Sequence, residues 1–126
     1  MSHFSTIKTK IKEKPYLIKA LQLCQCIVKE NVELVNPLNH QHEKVKVDVS
    51  IGNDIGFRLN NNGEYELVAD IQTWNFSIPP QRFIENVTQQ YAKSIIIDAV
   101  EEEGFTIAEE STTIENEITI TATRWQ

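Results

Sequence analysis

Four side chains with zinc-ligand chemistry fall within 20 residues of one another: Cys24, Cys26, His40 and His42. Two thiolates and two imidazoles can close a tetrahedron around zinc. Their spacing departs from that of a zinc finger, which places two to four residues between cysteines and three to five between histidines. Cys24 also completes the apolar face of a predicted helix, where a free cysteine behaves as a small hydrophobe. His40 and His42 lie in a polar stretch. The expectation is therefore no resident metal and no cofactor, with Cys24/Cys26/His40/His42 kept as the alternative metal set. A second group could line a small-ligand pocket: His3, Asp54, Asp70 and Tyr91. A carboxylate pair could also be drawn from Asp54, Asp70 and Glu66, although acids at strand ends and hairpins are ordinarily solvated. The chain has no G-x-S-x-G, no P-loop and no Cys/His frame, so no catalytic residue is assigned. Asn86-Val87-Thr88 matches the N-glycosylation pattern but falls on a helix face expected to be buried.

Large aromatics and arginines give a different chemistry. Trp74 sits in a connection with Phe76 two residues on, and Trp125 is penultimate beside Arg124. Trp and Arg are enriched where proteins grip one another. Arg58, Trp74, Arg124 and Trp125 are the partner-binding candidates, against the alternative that each tryptophan caps an open edge of the core.

These residues need a scaffold. At 126 residues the chain suffices for one domain, 1–126, and its 40% hydrophobic and 24% charged content is that of a folded protein. No run of 18 apolar residues is present, and the start shows no signal or transit pattern, so the protein is expected to work where it is made. The net charge is −6, split between five lysines in residues 1–20 and eight acids in residues 94–123. That balance argues against nucleic acid as a partner. Lys8, Lys10 and Lys12 alternate, as solvated guards of an edge strand or a small basic stripe would. An unpaired edge at 3–11 could also pair with its copy in a homodimer. Ile outnumbers Leu 16 to 7, a bias that fits an A+T-rich bacterial or organellar genome.

Residues 2–12 read as a strand, and Pro15 suits the first turn of a helix over 14–24. Residues 26–35 read as a short or irregular strand, followed by a loop from Asn36-Pro37 to Glu43. Val45, Val47, Val49 and Ile51 alternate with polar residues and predict a strand with one buried face. Ile55, Phe57 and Leu59 alternate again, Asn60-Asn61-Asn62-Gly63 predicts a hairpin turn, and Tyr65, Leu67 and Ala69 return. Residues 71–78 form a connection. Pro79-Pro80 opens a long helix over about 80–103, ended by Gly104. Its apolar stripe is Phe83, Val87, Tyr91 and Ile95, widened by Ile84, Ala92, Ile96, Ala99 and Val100. A last hairpin follows, from Phe105 to Ser111 and from Glu117 to Trp125. The order β-α-β-β-β-β-α-β-β predicts an α+β fold: a largely antiparallel sheet with two helices packed on one face.

The opening MSHFSTIKTKIK, Asp54-Ile-Gly-Phe-Arg58, the segment from Gly63 to Asp70, Trp74, Thr88-Gln-Gln-Tyr-Ala92, Gly104-Phe105 and Arg124-Trp125 carry a resemblance. In their order and spacing the chain resembles the family of the hypothetical chloroplast reading frame thirty-five, found in plastid and cyanobacterial genomes. The resemblance covers the whole chain. It implies the chloroplast stroma or a cyanobacterial cytoplasm, and it carries over no catalytic residue and no cofactor. Some bacterial relatives lie near genes for an AAA-type ATPase and a ferredoxin-like protein, which implies a complex or assembly role. The expected function is a non-enzymatic interaction, assembly or regulatory factor. The alternative is a small-ligand or redox-linked enzyme with a cleft between sheet and helix.

Overall fold

A computed structural model describes residues 4–35, 44–112 and 118–124, with side chains described through Gly104. The elements are β1 (Ser5–Lys8), α1 (Lys14–Leu23), β2 (Lys29–Val35), β3 (Lys44–Ser50), β4 (Ile55–Leu59) and β5 (Tyr65–Ala69). A 3₁₀ turn (Ile71–Thr73), α2 (Pro80–Glu102), β6 (Phe105–Thr112) and β7 (Ile118–Arg124) complete the order. This is the expected α+β order with one added turn. β1 to β5 form an antiparallel sheet in the order β1-β5-β4-β3-β2. The last hairpin does not join it: β6 and β7 pair with each other as a separate two-stranded sheet.

The ends of the elements follow local rules. Pro15 lies in the first turn of α1, where a missing N–H costs nothing. At its other end the amide of Gln25 bonds the Gln22 carbonyl at 2.9 Å and that of Cys26 bonds the Leu21 carbonyl at 3.0 Å. This double closure needs a left-handed residue after the cap, and Gln25 takes that role at φ 66°. A side chain there costs about 1 kcal/mol, partly offset by the extra freedom glycine brings to the unfolded chain. Gln25→Gly is therefore expected to raise the urea midpoint, by about 0.5 kcal/mol in stability; a lowered midpoint would contradict the assignment.

β1 is shorter than the predicted 2–12. The Thr9 amide and hydroxyl both donate to the Tyr65 carbonyl, while the Tyr65 amide donates to the Ile11 carbonyl at 2.8 Å. Thr9 and Ile11 thus share one partner residue, and the regular ladder stops. Both are buried, whereas Lys8, Lys10 and Lys12 all face solvent.

On one face of the sheet Val49, Ile55, Phe57, Tyr65, Leu67 and Ala69 meet Leu17, Ala20 and Leu21 of α1 and Phe83, Ile84 and Val87 of α2. Both helices cover that face, as expected. The β4–β5 hairpin closes as its sequence predicts. Asn60 accepts from the Gly63 amide through its carbonyl and from the Asn62 and Glu64 amides through its side chain, and Gly63 sits at φ 78°.

The β3 alternation is where expectation and structure part. Val49 packs with the helix-side core, but Val47 packs with Leu34 and Val68 in a second cluster. Val68 neighbours Leu67 on β5 and so points to the opposite face. The switch occurs where β2 and β3 pairing passes over Asn31 and Asp48, with Asn31 at φ 54°. Beyond it the hairpin bends back over the second face, and the Val35 amide reaches the Asn53 carbonyl at 2.9 Å. Phe4, Val32 and Val45 pack around this cluster.

α2 also departs from its predicted stripe. Phe83, Ile84, Val87 and Ser94 are buried, while Ala92, Ile96 and Ala99 are exposed. Twenty-three residues span about 35 Å of helix, against about 17 Å for the five-residue strands beneath. The second half of the helix outruns the sheet.

Candidate functional site

The connection from β5 to α2 is held by two carboxylates. Asp70 caps the 3₁₀ turn, accepting from the Gln72 amide at 2.9 Å. The Thr73 hydroxyl donates to Asp54 Oδ2. Trp74 follows at once, and its indole N–H donates to the Ile78 carbonyl at 2.8 Å, closing a five-residue loop. With its N–H engaged, the ring contributes apolar surface.

Phe76 stands at the tip of that loop and Phe83 in the first turns of α2. Their rings lie 5.1 Å apart at 23°, and Trp74 meets Phe83 edge-on at 5.7 Å and Phe76 at 5.1 Å. Phe83 is buried, but Phe76 keeps 36% of its surface exposed. An aromatic ring is thus fixed in place by two others and offered to solvent.

Beside it runs a groove of about 310 Å³. Phe76, Ile78 and Phe83 supply apolar wall, Cys24 just after α1 adds its thiol, and Ser77, Asn86, Gln89 and Gln90 supply polar groups. Among the described residues no Asp, Glu, Lys, Arg or His lines it. Two further cavities, of about 220 and 480 Å³, flank the β2–β3 hairpin and include Lys29 or Lys46 with Glu33 in their walls. They lack a fixed aromatic cluster. The groove beside Phe76 is the candidate site.

The structure disperses much of what the sequence proposed. Arg58 pairs with Glu66 across β4 and β5 at 2.9 Å. By alternation with Phe57 it lies on the face away from the helices, so it does not share a patch with Trp74. Arg124 belongs to β7, with Phe105 as its register partner. Trp125, His3, His40 and His42 lie outside the described residues. Asp54 and Asp70 flank the register pair Ile55–Ala69 and so sit together at one end of the hairpin. Asp70 is 1% exposed and its Oδ2 has no hydrogen-bond partner. Tyr91 is at the other end: its hydroxyl accepts from the Lys12 and Glu13 amides at 3.2 and 3.1 Å, next to Ile11, which bonds Tyr65. Among the described members of the pocket set, Tyr91 stands apart from Asp54 and Asp70.

Cys24 and Cys26 are free thiols packed against the helix-side core. Burial pushes both thiols above their ordinary value, and for Cys26 the neighbouring Cys24 adds to this. Thiols that act in redox or metal chemistry are shifted the other way. Alkylation by iodoacetamide at pH 8 is expected to be slower for the folded chain than for the chain in urea; equal rates would contradict this. Among the described residues no three His, Cys, Asp or Glu side chains cluster as metal ligands.

The carboxamides at 86, 89 and 90 were not singled out by sequence reasoning. Asn86 was expected on a buried face, yet it is half-exposed and lines the groove, because Val87 takes the buried position. The available signal was three amides at i, i+3 and i+4 behind an aromatic.

Residues 20–121 match the family described as "Protein of unknown function (DUF1257)". Relatives named "Uncharacterized protein ycf35" align with this chain from end to end. That of Guillardia theta is 33% identical, covering 100% of this chain and 99% of the relative. That of Pyropia yezoensis is 32% identical over 99% and 98%. That of Cyanophora paradoxa is 30% identical over 100% and 99%. No solved structure matches the chain significantly. With four-fifths of its length matched and algal relatives aligned end to end, this chain belongs to the DUF1257 family, together with the algal ycf35 proteins.

Proposed function

We propose that this protein is a non-enzymatic interaction factor that docks another protein at the Trp74–Phe76–Phe83 corner, in an assembly or regulatory role. The observation that carries the reading is the exposed Phe76 ring, held rigid by Trp74 and Phe83 beside a groove with no ionised group among its described lining residues. Rigid aromatics contribute large contact area at small entropy cost on binding. The separation of Tyr91 from Asp54 and Asp70 and the upward-shifted thiols support it against the enzyme alternative. The algal relatives support a plastid setting, and the chloroplast stroma or a cyanobacterial cytoplasm is the compartment that the resemblance implies. The resemblance supplies two partner classes to test first, an AAA-type ATPase and a ferredoxin-like protein.

The test compares tagged wild type with Phe76→Ala in pull-downs from a plastid soluble extract. The expected result is one partner retained by wild type and recovered at least about 10-fold less by Phe76→Ala, as for a binding hot spot. Circular dichroism and the thermal midpoint confirm that the variant is folded. Equal recovery by both proteins would refute docking at this corner.

A further inference from the structure

The groove beside Phe76 has a chemistry specific enough to name its occupant. Asn86 and Gln90 stand four residues apart on α2, with Gln89 beside them, so their carboxamides share one face of the helix. Four residues of helix rise about 6 Å. Alternate residues of an extended chain repeat every 6.7 Å or so. A carboxamide both donates and accepts, as a peptide group does. A row of them at this spacing matches the backbone of an extended segment lying along the helix. Phe83, one turn before Asn86 on the same helix, forms an apolar wall with Phe76 and Ile78, and about 310 Å³ accommodates one large side chain with its adjoining backbone.

Charge completes the argument. The chain carries net −6, yet among the described residues no ionised side chain lines this groove. On the adjoining turn Arg82 and Glu85 neutralise each other at 3.3 Å. A charged group seated against Phe76 and Phe83 would lose part of its water and gain no counter-ion from the described lining, which is unfavourable. Carboxamides and a hydroxyl satisfy a neutral peptide without that loss. We propose that the groove between Phe76 and the Asn86–Gln90 face of α2 binds an extended, uncharged peptide segment of a partner protein, with one large apolar side chain seated against Phe76 and Phe83.

This rests on the docking reading and adds the partner's chemistry to it. The experiment titrates the ¹⁵N-labelled full chain with blocked five-residue peptides of Gly and Ser that carry Leu, Ala, Asp or Lys at the centre. The expected result is saturable shifts in the side-chain amides of Asn86 and Gln90 and the backbone amides of 76–78 with the Leu peptide. The Ala peptide is expected to bind roughly 10-fold more weakly, as the loss of a buried Leu side chain implies. The Asp and Lys peptides are expected to produce no saturation at these residues. Gln90→Glu is expected to weaken the Leu peptide and admit the Lys peptide.

Equal response to the charged peptides, shifts mapping to another surface, or none up to 10 mM or so in peptide would each overturn the proposal. So would shifts at these residues when the protein alone is concentrated, which would assign the groove to a second copy. If the proposal fails while Phe76→Ala still releases its partner, docking at the corner stands and only the occupant's chemistry is wrong.

Discussion

Gly56→Ala is expected to destabilise the protein by about 3 kcal/mol, the upper range for forcing extra volume into a packed interior. A methyl group at this position would lie 2.7 Å from the backbone carbonyl of Val49 and 2.8 Å from Val47 Cγ2. The first is part of the sheet backbone and cannot rotate away. The second is held by the bent-back half of the β2–β3 hairpin, which packs Val47 with Leu34 and Val68. Gly56 is therefore the point at which that hairpin closes on the sheet. Two controls separate this from a general glycine effect. Gly52→Ala meets only Asp54 Oδ1, at 3.9 Å, and is expected to stay within about 0.5 kcal/mol of wild type. Gly63→Ala has open space but a φ of +78°, for a cost of about 1 kcal/mol. Urea unfolding of the three variants measures all of this. A Gly56→Ala protein as stable as Gly52→Ala would mean that Val47 does not lie over β4.

The second large effect tests the same fold-over from its other side. Leu34 has no exposed surface, although it belongs to β2 at the edge of the sheet. Leu34→Ala is expected to cost about 3 kcal/mol, as for a fully buried leucine whose surroundings relax only partly. Were β2 a flat edge strand with this side chain in water, the cost would fall below about 0.5 kcal/mol. Ile27→Ala supplies the reference. Ile27 is 83% exposed just before β2, and its removal is expected to leave the midpoint unchanged. A Leu34→Ala midpoint equal to that of Ile27→Ala would remove the second cluster from the structure.

Residue by residue, the parts of the fold that were legible are those decided within a few neighbours. The Asn60–Gly63 turn is set by one side chain that accepts two amides and one residue that tolerates positive φ. Pro79-Pro80 and Gly104 bracket α2 because proline suits the start of a helix and glycine the left-handed residue after its end. Val45, Val47, Val49 and Ile51 were legible as a strand, but their alternation holds whichever face each one meets. The reversal between Val47 and Val49 coincides with a positive φ at Asn31, in another strand. Asparagine tolerates that conformation, yet the chain has ten asparagines, and nothing local distinguishes this one.

The candidate site divides in the same way. Trp74 and Phe76 could be named in advance, since large aromatics in a connection are either core caps or contact surface. Which of the two they are was undecided. The tertiary structure makes Trp74 largely a support, its N–H held by Ile78, and makes Phe76 the exposed ring. Asn86, Gln89 and Gln90 enter the site only because α2 lies beside the 74–78 loop and the end of α1.

By itself, then, the sequence determined the α+β order, the two helices, the central hairpin and the family, because short-range hydrogen bonding and residue periodicity specify elements one at a time. Only the tertiary structure decided which face of the sheet each half of the β2–β3 hairpin covers, that Tyr91 stands apart from Asp54 and Asp70, and that a groove with no charge among its described lining residues opens beside Phe76. Those outcomes depend on packing between separate elements, and packing is governed by the shapes that meet, which no pattern along a single segment encodes.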